Sequence, residues 1–319
     1  MTTTPRIVLA GGSGFLGRTL STTLVSKGYE VVVLTRTPSP QERLVHHIQW
    51  DGKTLGEWAG ALDGARAVVN LAGKNVNCRS TPANRREIIE SRVDSVRVLG
   101  EAVVKCAQPP SAFIQAGGIA IYGDAGDRWC DEDAPHGNGF LADVSRAWEE
   151  AFEEVQQSGM RKSLLRVGPV LGPNGGLLEP ISRLTRWFLG GHVGSGQQFF
   201  SWIHLDDLVQ MFLAAIEREE ISGVFNAVAP NPVTNAEFMR ELRRALHRPW
   251  SPPVPALAAR MGAWVMGSNA SLALIGQRCM PKHFLEKDFA FGLPKLRQAL
   301  ADIFTNNERS FPVTEVARR

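Results

Sequence analysis

Apolar residues fall alternately in short unbroken runs and at helical spacing along the first half of this chain. "RIVLA" (6–10) reads as a buried strand, a compact apolar run closed by glycines. Residues 14–27 follow with Phe15, Leu16, Leu20, Leu24 and Val25 at helical spacing, and Gly28 stands where such a helix stops. The same reading predicts strands at 30–35, 67–73, 111–117 and 162–168, and helices at 83–106 and 143–157. Strands alternating with helices imply a parallel sheet covered on both faces, with right-handed crossovers. Beyond about residue 170 the pattern loosens into Gly- and Pro-rich pieces and short helices. "VFNAV" (224–228) predicts one late strand and "RPWSPPVPA" (248–256) a Pro-rich joint. Helices are expected at 256–266 and 294–304, and a frayed tail from Asn306.

The first strand-to-helix turn carries candidate chemistry. Gly11, Gly14 and Gly17 are each separated by two residues, directly after "RIVLA" and at the start of a helical pattern. Backbone N–H groups and the positive helix end converge there, which suits a dinucleotide pyrophosphate. The second strand then ends in Thr35 and Arg36, where an NAD-binding fold usually places Asp or Glu to accept from the ribose 2′-OH. A carboxylate repels a 2′-phosphate, whereas a guanidinium grips it with two hydrogen bonds. The expected cofactor is therefore NADP(H). The fold class expected is α/β: a Rossmann doubly wound parallel sheet over 1–170, with a smaller, mostly helical C-terminal substrate lobe over 171–305 and the tail at 306–319.

Composition narrows the partners. The 319 residues are 44% hydrophobic and 21% charged, which suits one large domain or a domain with an appended lobe. Net charge is +3 with no long basic run, so bulk charge suggests neither a nucleic-acid nor a membrane partner; the expected partner is a small-molecule substrate. No apolar stretch reaches the roughly 18 residues that span a bilayer. Cys78, Cys106, Cys130 and Cys279 are far apart and lack metal-ligand spacing, and no signal-peptide pattern is present, so a reduced, cytoplasmic protein without a metal is expected. "WCDEDAPHGNG" (129–139) reads as a solvated acidic loop over the cleft. The scattered tryptophans, Trp187, Trp202, Trp250 and Trp264 among them, read as core or cleft wall.

Several motifs taken together resemble a known family. "GGSGFLG", "NLAG" (70–73), "IYGD" (121–124), "LLRVGPVLGP" (164–173) and "WIHLDDL" (202–208) resemble the extended short-chain dehydrogenase/reductase superfamily, in its epimerase/dehydratase branch. "GSGQQFFSWIHLDD" and "NAVAPNPVTNAEF" are similar, more narrowly, to the SDR39U-type epimerase-family proteins, whose C-terminal segment is a domain of unknown function; here that segment would be about 247–300. The resemblance implies a cofactor shell. Gly11, Gly14, Phe15 and Leu16 would line the pyrophosphate turn, and Thr35 and Arg36 would face the 2′-phosphate. Leu71, Ala72 and Gly73 would pass under the adenosine side. Glu87 and Arg92 on the long helix would approach the cofactor, and Val170 would border the nicotinamide.

The same resemblance exposes a departure. The superfamily normally transfers protons with a Tyr-x-x-x-Lys pair and a nearby Ser or Thr. The helix that should carry the pair places Leu141 and Ser145 at those positions, and neither Tyr29 nor Tyr122 is followed by Lys four residues later. Gln115 to Gly118 stand where the hydroxyl is expected, Phe200 replaces an arginine that would bind a sugar-nucleotide phosphate, and Pro169 replaces an asparagine. Both last changes argue against a nucleotide-sugar substrate. Tyr122 is the candidate catalytic residue, since it follows a strand end where sites form in open α/β sheets. His204 and Asp206, with Trp202, are the candidate cleft residues; a structural His204 and capping roles for Asp206 and Asp207 are the competing readings. The expected function is an NADP(H)-binding oxidoreductase or epimerase-like protein acting on a small molecule. Two alternatives stand beside it: a catalytically silent NADP(H)-binding sensor or docking protein, and a fold that no longer binds the ligand.

Overall fold

A computed structural model describes residues 4–38, 44–173, 175–258, 261 and 274–309. Strand β1 (Arg6–Ala10) leads through the glycine turn into helix α1 (Phe15–Ser26), and β2 (Glu30–Thr35) and β3 (Val45–Gln49) follow. The chain then crosses to β4 (Ala67–Asn70), α2 (Pro82–Val104), β5 (Ala112–Gly118), the short β6 (Trp129–Cys130), α3 (Phe140–Glu153) and β7 (Arg161–Val167). After β8 (Val170–Leu171) come α4 (Leu178–Arg186), β9 (Phe199–Phe200), β10 (Ile203–His204) and α5 (Leu205–Glu217). The rest is β11 (Gly223–Ala227), β12 (Val233–Thr234), α6 (Asn235–Ala245), β13 (Arg278–Cys279), α7 (Lys282–Glu286) and α8 (Leu296–Arg309).

The central sheet has seven parallel strands in the order β11-β7-β5-β4-β1-β2-β3. Strand order reverses between β1 and β4, so a crevice opens beyond their carboxyl ends. Ile7 to Ala10, Val31 to Leu34 and Ala67 to Val69 are all buried, as a sheet covered on both faces requires. Helices α1 and α5 pack together, as do α2 and α3.

The expected early elements are present within a few residues of their predicted ends. Strand β3 and helix α6 were not predicted. In β3, "VHHIQ" is polar and half-buried, because it is the sheet's outer strand. The late strand at 224–228 is observed as β11 and forms the opposite edge, so the sheet draws on residues beyond 170. The helix predicted at 256–266 and the tail beyond Arg309 lie mostly outside the described residues, as does Trp264. Among the described residues, no helix is long and apolar enough to cross a membrane.

Residues 278–279 and 292–293 are tied to earlier elements by specific bonds. Asp207, buried at the start of α5, accepts from the Gly292 and Leu293 N–H groups at 2.7 and 3.0 Å. Cys279 pairs in register with Cys130 across β13 and β6, so two cysteines far apart in sequence lie side by side in the interior. Asp207→Ala removes two charge-assisted bonds, each contributing about 1.5–3 kcal/mol. Amide hydrogen exchange should therefore quicken selectively across residues 289–300, while the β1 and β4 amides keep their protection.

Candidate dinucleotide-binding site

The turn after β1 is built by close backbone approaches. Gly11 has φ +75°, and a Cβ there would lie 2.8 Å from the Ala72 Cα, so the β1 and β4 loops meet at van der Waals limits. A Cβ on Gly17 would lie 2.4 Å from the Gly12 carbonyl oxygen, which makes the third glycine the packing contact between turn and helix. Gly14 differs from both: its Cβ position meets only the Gly11 carbonyl oxygen, at 3.7 Å. Gly14 is also the N-cap of α1, with no side chain capping the helix and no acidic residue in its first turn. The first amides of α1 have no intrahelical acceptor and face this open position with the positive end of the helix dipole. The donor set suits an anion, and no protein atom crowds the Gly14 position.

Phe15 roofs one side of that opening. Cβ atoms placed on Gly172, Gly175 and Gly176 would each come within 3.2 Å of its ring, so the segment after β8 is packed over Phe15. Val170, on β8, is half-buried beside it, and Leu16 packs against the main core.

Beyond β2 lie further polar and charged groups. Thr35 is buried, and its Oγ1 lies 3.1 Å from the Ser13 hydroxyl, linking β2 to the glycine turn. Arg36, the next residue, is exposed. Glu87 on α2 forms an ion pair with Lys74, and Lys74 Nζ also donates to Asn84 Oδ1 at 2.8 Å. Lys74 beside it, and then Arg36 and Lys53, hold the Glu87 carboxyl below its usual range, while Lys53 also pairs with Asp94 at 3.6 Å.

The β4–α2 loop is braced from beneath. Asn70 is fully buried; its Oδ1 accepts from Ala72 N–H at 3.0 Å, and its Nδ2 donates to Ser95 Oγ and Gln115 Oε1. Leu71 N–H donates to the Ala10 carbonyl at 2.8 Å. Arg92 Nη1 donates to the Lys74 and Ile88 carbonyls at 2.9 and 3.0 Å, and its guanidinium lies 4.9 Å over the Trp148 ring. Burial pulls Arg92 down to about 10. A Cβ on Gly73 would come within 3.0 Å of the Arg92 Cζ. Arg92, expected to approach the cofactor, thus commits its Nη1 to bracing the loop that carries "NLAG".

The expected reacting end is arranged differently from the sequence-based picture. Tyr122 is fully enclosed. Its hydroxyl lies 2.8 Å from both the Asp131 carbonyl and Asn226 Oδ1, and accepts from Arg166 Nη1 at 2.9 Å. Burial raises its pKa well above the usual tyrosine value despite the adjacent guanidinium. A phenol with both hydrogen-bonding roles filled, no route to solvent and a raised pKa is not placed for proton transfer at neutral pH. Arg166 in turn forms a two-point pair with Glu149 of α3, at 3.0 and 2.9 Å, with both side chains buried. Glu132 is buried as well, accepting from the Asn226 and His283 N–H groups at 2.8 and 3.3 Å. The "WCDEDAPHGNG" segment is therefore partly interior rather than a solvated loop.

The three cleft candidates differ in exposure, although His204 and Asp206 lie in contact. Trp202 is wholly in the core, its Nε1 donating to the Asn231 carbonyl at 3.2 Å. His204 is buried as the N-cap of α5; its Nδ1 accepts from the Asp206 N–H at 3.2 Å and its Nε2 lies 3.5 Å from Asp302 Oδ2. Of the three, only Asp206 keeps an exposed side chain. Sequence reasoning missed the Arg166–Glu149–Tyr122–Asn226 cluster; its one signal was an arginine inside the otherwise apolar strand "SLLRV".

With this geometry established, comparison with known proteins places the chain. A model of the NAD dependent epimerase/dehydratase family matches residues 7–227, and a model described as a domain of unknown function, DUF1731, matches 254–303. The mouse epimerase family protein SDR39U1 is 35% identical over 303 residues, covering 93% of this chain and 99% of the mouse protein. The crystal structure of human epimerase family protein SDR39U1 (isoform 2) with NADPH superposes with a TM-score of 0.85 at 34% identity, covering 94% of this chain and 99% of that one. A nucleoside-diphosphate sugar epimerase from Corynebacterium glutamicum gives a TM-score of 0.76 at 32% identity, covering 95% of this chain and 58% of that one.

Proposed function

This chain belongs to the NAD dependent epimerase/dehydratase family, and on that premise we propose that it is an NADP(H)-dependent oxidoreductase or epimerase-like enzyme acting on a small, partly apolar molecule. One observation carries the reading: an uncapped α1 N-terminus opening at Gly14, with exposed Arg36 at the end of the next strand. The human relative, which shares the fold over 94% of this chain and was crystallised with NADPH, supports it.

In this reading the α1 amides and Gly14 hold the pyrophosphate, and Thr35 and Arg36 select the 2′-phosphate. Leu71, Ala72 and Gly73 lie under the adenosine side, Phe15 roofs the pyrophosphate turn, and Val170 borders the nicotinamide end. NADP(H), when bound, supplies or accepts a hydride. The chain's part is positioning, which alone lowers a barrier by roughly 7–11 kcal/mol in well-oriented reactions. We assign Tyr122 to the framework, so proton movement falls to water or to a substrate group.

The second reading, a silent NADP(H)-binding protein, is favoured by the absence of a Tyr-x-x-x-Lys pair and by the enclosure of Tyr122. A panel of carbonyl compounds and epimerisable sugars separates the two. Absorbance loss at the nicotinamide band, or stereochemical inversion with catalytic NADP⁺, supports the enzyme. Tight binding without either supports the silent protein. Gly14→Ala bears on the cofactor assignment in both readings. The added methyl meets no protein atom closer than 3.7 Å, so stability should fall by no more than about 1 kcal/mol at this N-cap, while NADPH affinity drops at least tenfold.

A further inference from the structure

Two stretches of the chain contain no carboxylate at all, residues 180–205 and 242–285. The fold lays residues 188–194 of the first beside residues 243–254 of the second. Gly194 N–H donates to the Val254 carbonyl at 2.9 Å, and Val254 N–H donates to the His192 carbonyl at 2.8 Å. Arg243 Nη1 donates to the Gly190 carbonyl, and the Arg248 guanidinium lies 5.3 Å over the Phe188 ring. The ridge so formed carries Trp187, Phe188, Leu189 and Trp250 toward solvent, with Leu257 and Met261 following in the same chain segment. Trp187 is 76% exposed and Trp250 73%, and none of the six falls below 55%. Single exposed apolar residues are ordinary on a protein surface; a cluster of this size marks a contact surface. Backbone strain accompanies it. Among the described residues, Phe188 (φ +64°) and His247 (φ +52°) are two of three non-glycine residues at positive φ, a region that bulky side chains disfavour.

Charge identifies what the surface fits. Arg183 and Arg186 close α4, Arg243 and Arg244 close α6, and Arg248 follows. The nearby acids of α6, Glu237 and Glu241, are paired with Arg240 and Arg244. A second copy of the chain on this ridge would bring like charge against like charge in a two-fold contact. A nucleic acid would use the arginines and the aromatic rings but not Leu189, Leu257 and Met261, which have no π-face for a base. Acyl chains accept all of them, tryptophan favours the headgroup boundary, and arginines pair with lipid phosphates. We propose that this ridge docks the protein on the surface of an anionic bilayer, with the aromatic and aliphatic tips inserted at the headgroup–acyl boundary.

Sedimentation of the full chain with vesicles tests this, comparing phosphatidylcholine alone with phosphatidylcholine–phosphatidylglycerol mixtures. The wild-type protein should bind the mixed vesicles at least tenfold more strongly. Trp187→Ser with Trp250→Ser should reduce that partitioning at least about tenfold, since each side chain otherwise leaves water. Arg183→Gln and Arg186→Gln should each reduce it about fivefold. NADPH titration of every variant reports that the fold is retained. The proposal is overturned by absence of binding to the anionic vesicles, or by equal binding of the tryptophan variants. It is equally overturned by a dimer in light scattering that the tryptophan substitutions dissociate, or by tighter binding to oligonucleotides than to vesicles.

Discussion

Arg166→Ala lowers the free energy of unfolding by about 3–5 kcal/mol, the range for removing one partner of a buried ion pair. Glu149 would remain inside α3, facing β7, with no counter-charge and with two acceptor bonds lost. Tyr122 would lose its donor, and the Glu132 carbonyl would lose the Arg166 contact at 3.2 Å. Burial alone would pull the guanidinium down, but Glu149 keeps Arg166 charged and its pKa raised. Denaturant unfolding followed by tryptophan fluorescence measures the loss. Arg166→Met combined with Glu149→Leu should recover much of it, because no uncompensated charge is then enclosed. A single-variant loss under 1 kcal/mol would mean that the cluster does not hold α3 to the sheet.

Arg36→Asp changes cofactor choice rather than stability. Two charge-assisted hydrogen bonds to a 2′-phosphate contribute about 3 kcal/mol at the low end expected for an exposed guanidinium, or about a hundredfold in affinity. The new carboxylate adds repulsion beside Glu87, whose carboxyl Arg36 helps to hold below its usual range. NADPH affinity should therefore fall at least a hundredfold, while NADH affinity stays within about threefold. Fluorescence titration with both dinucleotides measures the ratio. Equal losses would remove Arg36 from 2′-phosphate selection and leave the preference to other groups.

The alternation of apolar runs and helical stripes made the sheet and its flanking helices legible, because parallel strands covered on both faces must be apolar throughout. Glycine spacing marked the turn for the same kind of reason: at Gly11 and Gly17 the backbone approaches leave no room for a Cβ. The functional end was harder to read. Tyr122 follows a strand terminus, and nothing local reveals that Asn226 and Arg166, 104 and 44 residues away, enclose its hydroxyl. The resemblance turns Arg92 of α2 toward the cofactor, and nothing in its helical spacing reveals that Trp148 and the Lys74 carbonyl contact it from other elements. In "IHLDD", His204 caps α5 and Asp207 secures residues 292 and 293, a pairing across 85 residues that spacing alone does not encode. Trp187 and Trp250, read as core or cleft wall, are exposed: the first stands at the end of α4 and the second within the proline joint, neither on a packed helical face.

Isothermal calorimetry of the wild-type protein with NADPH and NADH tests the central assignment most directly. Saturable heat with NADPH at about micromolar affinity, and binding of NADH at least tenfold weaker, is the predicted result. No heat with either dinucleotide from folded protein, or equal affinities for the two, would contradict it.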